Sequence, residues 1–186
     1  MTLSALGIFS AAGAGGVAFA SDYELIETSI VSGSSTASVV FSSLGTYSST
    51  YKHLQIRGTA KTNQGAIFDL IKVQLNGDTG NNYARHALLG NGSTVSSSGI
   101  SSTGFVNFAA QGNSTANVFG GFVFDILDAY STTKNKTTRA LAGVTEIRLS
   151  SGLWMNTASL TSVTLSPEFG SLLIEGSRFS IYGVKG

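Results

Sequence analysis

The chain has 186 residues, and charged residues make up only 11% of it, with a formal net charge of +1. Cysteine is absent, which excludes disulfides and thiolate metal sites, and the lack of a basic run argues against binding to a nucleic-acid backbone. A hydrophobic content of 42% is enough for one folded domain rather than a disordered chain. A surface of hydroxyls and amides suits a protein that is extracellular, packed in an assembly, or both.

The first twenty residues carry no charged side chain and allow three interpretations. A membrane-spanning helix is disfavoured because several glycines and serines dilute the apolar run. A signal peptide is suggested by Ala18-Phe19-Ala20, which resembles a cleavage site, although no basic residue precedes the apolar region. The third interpretation is a peptide that docks on another protein through four apolar side chains, followed by an Ala/Gly leash. Those side chains are Leu3, Leu6, Ile8 and Phe9.

From residue 23 onward, short apolar alternations separated by turn residues predict β-strands. The predicted strands cover residues 23–31, 37–41, 53–60, 71–75, 83–89, 118–127, 138–149, 151–155, 160–165, 171–174 and 178–184, with a further strand beginning at residue 105. About ten short strands with this spacing indicate an antiparallel sandwich, jelly roll or barrel. We therefore predict an all-β, jelly-roll-like sandwich over residues 22–186, preceded by an extended N-terminal peptide of residues 1–21.

The segment 69–93 gives the strongest local pattern. Ile71, Val73 and Leu75 alternate with polar residues, and the sequence Asn-Gly-Asp-Thr-Gly-Asn-Asn that follows is rich in turn-forming residues. Together with the strand at 83–89, this pattern predicts an antiparallel hairpin with a polar tip. The tip lacks the residue order of a calcium loop, so its polar side chains are assigned to turn chemistry. The serine-rich residues 94–102 are predicted to form a surface loop.

The strand at 118–127 is apolar on both faces. Phe122, Phe124 and Ile126 alternate with Val123 and Leu127, which is the pattern of a strand that lies centrally in a sandwich or at a subunit contact.

Nothing in the sequence indicates an enzyme, and no cofactor is predicted. His53 and His86 lack metal-ligand spacing, and no nucleophile motif is present. The four acids beside turns are assigned to capping and solvation; they are Asp69, Asp78, Asp125 and Asp128. Trp154, Tyr83 and Tyr130 could stack on sugar rings, so a carbohydrate-binding module remains an alternative. Trp154, which lies between Leu153 and Met155, fits core packing better.

Several separated motifs suggest a family. They are Tyr-Lys-His-Leu-Gln-Ile-Arg-Gly at 51–58, Leu-Asn-Gly-Asp-Thr-Gly-Asn-Asn-Tyr at 75–83, Leu-Gly-Asn-Gly-Ser at 89–93, Phe-Asp-Ile-Leu-Asp at 124–128, Ser-Gly-Leu-Trp-Met-Asn-Thr at 151–157 and Phe-Ser-Ile-Tyr-Gly-Val-Lys-Gly at 179–186. In this order they resemble a group of small structural, tail fibre-like or virion surface proteins of tailed bacteriophages that are common in marine and freshwater phages. The opening Leu-Ser-Ala-Leu-Gly-Ile at 3–8 resembles the N-termini of that group.

The resemblance implies a homotrimeric virion component with a β-sandwich body, assembled in the host cytoplasm without a signal sequence. It therefore favours a docking peptide at the N-terminus, which would attach the protein to tail, baseplate or capsid proteins. The first hypothesis is a tail fibre or fibre-tip protein whose β domain meets the host surface, where a glycan is a possible ligand. The alternatives are a capsid decoration (cement) protein and a secreted carbohydrate-binding module.

Three sets of site residues follow from this hypothesis. The particle-docking residues are Leu3, Leu6, Ile8 and Phe9. The candidate receptor-facing loop residues are Asn76, Asp78, Asn81 and Asn82. The candidate subunit-contact residues are Phe122, Val123 and Phe124. We expect neither binding to nucleic acid nor a membrane span.

Overall fold

The computed structural model describes residues 21–113 and 115–186. This part of the chain forms twelve β-strands and one short 3-10 helix, Leu44–Tyr47. The strands are β1 Tyr23–Ile30, β2 Val39–Phe41, β3 His53–Lys61, β4 Phe68–Leu75, β5 Tyr83–Gly90, β6 Val95–Ser102, β7 Phe105–Gln111, β8 Gly120–Leu127, β9 Lys136–Gly143, β10 Ile147–Trp154, β11 Val163–Pro167 and β12 Arg178–Val184. The predicted docking residues Leu3, Leu6, Ile8 and Phe9 lie outside the described residues.

The strands form two layers. The larger sheet is antiparallel and has the order β1-β12-β3-β8-β9-β10-β5-β6. The smaller sheet consists of β7, β4 and β11 and is extended at one edge by β2. The two sheets meet where β3 and β7 pair in parallel over two residue pairs, and β7 lies against β8, β9, β10 and β5. The prediction of an all-β antiparallel sandwich is confirmed.

The core lies between the two sheets and is built from the inward half of each alternating strand. In β8, Phe122, Phe124 and Ile126 are at most 5% exposed, and the ring of Phe124 lies 5.6 Å from that of Phe105. The prediction that Phe122 and Phe124 form a subunit contact is therefore wrong, because both rings are already covered by their own chain. Of the three residues predicted to form the contact, Val123 alone is partly accessible, on the opposite face of β8. Burying side chains of this size stabilises the fold by about 1.5–3 kcal/mol each.

The predicted central hairpin is wrong. The strand β4 pairs with β7 and β11, whereas β5 pairs with β6 and β10. Residues 76–82 therefore connect the smaller sheet to the larger one. The local Asn-Gly turn does form, with φ of 52° at Asn76 and 67° at Gly77, and the Asp78 N–H donates to the Leu75 carbonyl at 2.9 Å.

In this part of the chain a hairpin forms between β5 and β6, one strand after the predicted one. Asn91 and Gly92, with φ of 88° at Gly92, lead from β5 into β6, and the two strands pair over eight residues without a register shift. The prediction of a surface loop at 94–102 is therefore wrong about the secondary structure, because these residues form a strand. Almost all of β6 is nevertheless exposed. Two boundaries also differ: a turn at 144–146 separates β9 from β10, and Leu173 of the predicted strand 171–174 makes only isolated bridges.

Candidate functional site

Within the predicted receptor loop, the Asp78 carboxylate is hydrogen-bonded by groups of its own chain. The carboxylate of Asp78 accepts hydrogen bonds from the Trp154 indole N–H at 2.7 Å, from the Asn82 amide at 3.0 Å and from the Gly80 N–H at 2.8 Å. These donors, Trp154 first, lower the pKa of the Asp78 carboxyl below its ordinary value. Because Asp78 follows β4 and Trp154 ends β10, the contact ties the smaller sheet to the larger one.

Asn76 also has a structural position. Its side-chain oxygen accepts hydrogen bonds from the Thr161 and Ser162 N–H groups at 2.7 and 3.2 Å, and its amide donates to the Ser159 carbonyl at 2.9 Å. In residues 76–82, only Gly77, Thr79 and Asn81 are exposed. Of the four side chains predicted to face a receptor, Asn81 alone is exposed, and Asn76, Asp78 and Asn82 are partly buried.

The outer face of the larger sheet carries a row of apolar side chains. Val123 pairs with Leu141, Leu141 with Leu149, and Leu149 with Leu88, so the four residues stand side by side across β8, β9, β10 and β5. We call them the apolar ladder. Each of its three leucines is 54% exposed, and the row spans about 14 Å at the usual strand spacing. Ile147 lies beside it and is 64% exposed.

A shallow groove of about 600 Å³ lies along the β5–β6 end of this face. Leu88 and Leu149 of the apolar ladder form part of its lining, together with His86 and Arg139. The His86 ring lies against Gly99 of β6, where an added Cβ would be 2.9 Å from the ring. The groove therefore combines apolar floor residues with two nitrogen-bearing side chains on an open sheet surface.

A polar row lies next to the apolar ladder. Tyr182 pairs with Gln55, Gln55 with Asp125, and Asp125 with Arg139, and we call these four residues the polar ladder. The Asp125 carboxylate accepts from the Gln55 amide and from the Arg139 guanidinium, each at 2.6 Å. Because Arg139 is well exposed while Asp125 is mostly covered, this row presents donors to the solvent.

Sequence reasoning did not single out the apolar ladder. The signal is present in β9, where Ala140, Leu141 and Ala142 are consecutive apolar residues and only the two alanines, each 4% exposed, face the core. Small residues therefore lie inside and a large one outside, which reverses the usual expectation.

The described residues contain no group of three His, Asp or Glu side chains placed to hold a metal ion. His53 instead accepts the Asp128 N–H through Nδ1 at 2.8 Å. None of the described helices has the length and apolar character needed to cross a membrane. In comparisons with known proteins, no family model and no curated sequence matches the chain.

Proposed function

We propose that this protein is a virion structural component of a tailed phage, namely a tail fibre or fibre-tip protein that presents its β-sandwich to the host surface. The observation that carries the proposal is the apolar ladder. A contiguous row of half-exposed leucines on a soluble domain marks a protein–protein contact, as expected of a subunit that works within an assembly. The motifs that resemble phage structural proteins, from residues 51–58 to 179–186, support the proposal that this assembly is a phage particle.

The apolar ladder also supports the proposed homotrimer. Interfaces between permanent partners resemble a core cut in half, and the leucines of β9, β10 and β5 offer such a surface to a second copy. We therefore propose the subunit contact at Val123, Leu141, Leu149 and Leu88, in place of the buried Phe122 and Phe124.

The docking role of the N-terminal peptide completes the proposal. The first described strand, β1, is an edge strand of the larger sheet, and residues 1–20 precede it in the sequence. An extended segment of that length reaches about 60 Å, enough to run along a neighbouring virion protein with Leu3, Leu6, Ile8 and Phe9 at its far end.

Purified phage particles test this function directly. Mass spectrometry should find the protein as a stoichiometric component, beginning before Ser21, and a cryo-electron microscopy map should place the sandwich at the distal tail. Density between capsid subunits would instead identify a decoration protein. Protein that is missing from particles and recovered from the medium with Ser21 as its first residue would contradict the proposal and favour a secreted carbohydrate-binding module.

A further inference from the structure

A second groove, of about 290 Å³, lies on the β12–β3–β8 side of the outer face. Arg57 of β3 and Arg178 of β12 stand on its walls, and both are exposed. Arg57 pairs with Ser180, and Arg178 pairs with Thr59, so the two arginines are diagonal neighbours on adjacent strands. Because both side chains line the same groove, a ligand lying in it can meet both arginines.

Within residues 21–113 and 115–186, the two arginines lack an acidic partner. Neither forms an ion pair with a carboxylate of the described residues, and none of the described residues lining the groove carries a carboxylate. The nearest acid on this face of β8, Asp125, already pairs with Arg139 at 2.6 Å. A bound anion would compensate the positive charge of the two arginines, for which the groove lining offers no carboxylate.

The Arg57 side chain is held in position by contacts with its own chain. Its guanidinium carbon lies 5.1 Å from the centre of the Tyr23 ring and 5.4 Å from that of Tyr182, and its Nε donates to Gln55 at 2.9 Å. The two tyrosine rings stack at 4.8 Å. This arrangement lowers the entropy that a ligand must remove on binding.

Hydroxyl groups surround the arginines. Thr59, Ser180 and Tyr182 line the groove, and Ser180 is 5% exposed with its hydroxyl 2.8 Å from that of Thr28. Val123 contributes an apolar patch on the β8 side. The hydroxyls of Thr59 and Tyr182, the Tyr182 ring and a small apolar patch beside two guanidiniums match a sugar ring that carries a carboxylate. A bare inorganic anion would use the arginines alone.

We propose that this groove binds an acidic sugar residue of a surface polysaccharide, with its carboxylate on Arg57 and Arg178. The inference rests on the host-attachment role proposed above and gives that role a ligand class and a place. It moves the expected receptor contact from residues 76–82 to the outer sheet face.

Titration of the purified full-length protein tests the site. The probes are a glucuronic-acid-containing oligosaccharide, a neutral glucose oligosaccharide of equal length and inorganic sulfate, at low ionic strength. Arg57→Gln and Arg178→Gln are each expected to weaken binding of the acidic probe about tenfold or more, since each removes a charge-assisted contact. The matched control is Lys134→Gln, which removes an equal charge from an exposed side chain paired with Asp128; it should change the affinity less than about twofold.

Several results would overturn the inference. They are absence of binding, equal affinity for the neutral probe, an equal loss in the Lys134 variant, and sulfate binding as tight as that of the acidic oligosaccharide, which would mean a simple anion site. Melting temperatures of the variants show whether a loss reflects unfolding, and Arg178, which makes fewer contacts than Arg57, then decides the question. Failure of this inference can be distinguished from failure of the virion proposal, because that proposal is tested on particles and this one on purified protein.

Discussion

The Asp78 carboxylate joins the two sheets, and its removal should lower the free energy of unfolding. In Asp78→Ala the Trp154 indole N–H, whose side chain is 0% exposed, loses its acceptor at 2.7 Å. A buried donor without a partner destabilises a fold by about 1–3 kcal/mol, so we expect a loss of about 2 kcal/mol by denaturant unfolding. Asp78→Asn keeps an acceptor oxygen and should lose about half as much. The control Asp22→Ala, at an exposed position, should leave stability unchanged. An Asp78→Ala protein as stable as the control would contradict the structural role.

Acid should reveal the same contact. Because the pKa of the Asp78 carboxyl is lowered in the fold, its contribution is fully present above the ordinary value of 3.8. That contribution is lost as the pH falls through the lower folded pKa. The wild-type melting temperature should therefore decline more steeply below about pH 4 than that of Asp78→Asn. Parallel curves for the two proteins would show that another carboxylate controls the acid limit.

The hydrogen bond of Tyr51 should limit the stability of the fold at alkaline pH. Its hydroxyl donates to the Glu24 carboxylate at 2.6 Å, and this bond, with burial, raises the pKa of Tyr51 to about 12. The raised pKa contributes stability that is complete below the ordinary value of 10.0 and disappears as the pH rises toward 12. In Glu24→Gln, phenolate absorbance should show one tyrosine titrating at a lower pH than in the wild type. Superimposable titration curves would contradict the assignment.

At the scale of the strands, Gly58 controls how β3 meets the core. A Cβ at Gly58 would lie 2.7 Å from Phe122 Cζ and 2.9 Å from Phe179 Cδ1, and both rings are buried. We expect Gly58→Ala to destabilise the fold by about 1–3 kcal/mol through overpacking. Gly121→Ala is the matched control, since Gly121 pairs with the next residue of β3 and has nothing within 4 Å of an added Cβ. Equal stability of the two variants in thermal melts would show that the rings can move aside.

The strands themselves could be predicted from the sequence better than their partners. The alternation of Ile71, Val73 and Leu75 located β4, because a two-residue period follows from one buried face. The Asn76-Gly77 turn was also visible. The pairing was not, since β4 joins β7 and β11 through contacts distant in sequence, and a local turn signal carries no information about them. The serine-rich β6 was missed because its register is supported by β5 alone.

The candidate site was harder to predict than the fold. Phe122 and Phe124 had the composition expected of a subunit contact, yet both are buried within their own chain. The leucines that do face outward, Leu88, Leu141 and Leu149, lie on three strands and become a row only through the register of β5, β9 and β10. Arg57 and Arg178 are likewise 121 positions apart in the chain. Apart from Leu141 between two alanines in β9, neither surface has a signature within a single segment.

For the whole molecule, the apolar ladder should decide the oligomeric state. Leu141→Ser and Leu149→Ser replace side chains that are 54% exposed, so each single chain should keep its fold while the proposed trimer dissociates. Light scattering at micromolar concentration measures the change. Leu25→Ser is the control, because Leu25 is 57% exposed but lies on β1 at the opposite edge of the sheet. A monomeric wild-type protein, or equal dissociation in the Leu25 variant, would contradict self-association through the ladder.

Incorporation into particles tests the central claim most directly. Phage carrying a deletion of residues 2–20 would be grown beside wild-type phage, and the copies of this protein per purified particle would be counted by quantitative mass spectrometry. We expect the wild-type protein to be present at a fixed copy number, and the shortened protein, which keeps every strand from β1 to β12, to remain folded in the lysate but absent from particles. Normal incorporation of the shortened protein would contradict docking through the N-terminal peptide, and absence of the wild-type protein from particles would contradict the virion role itself.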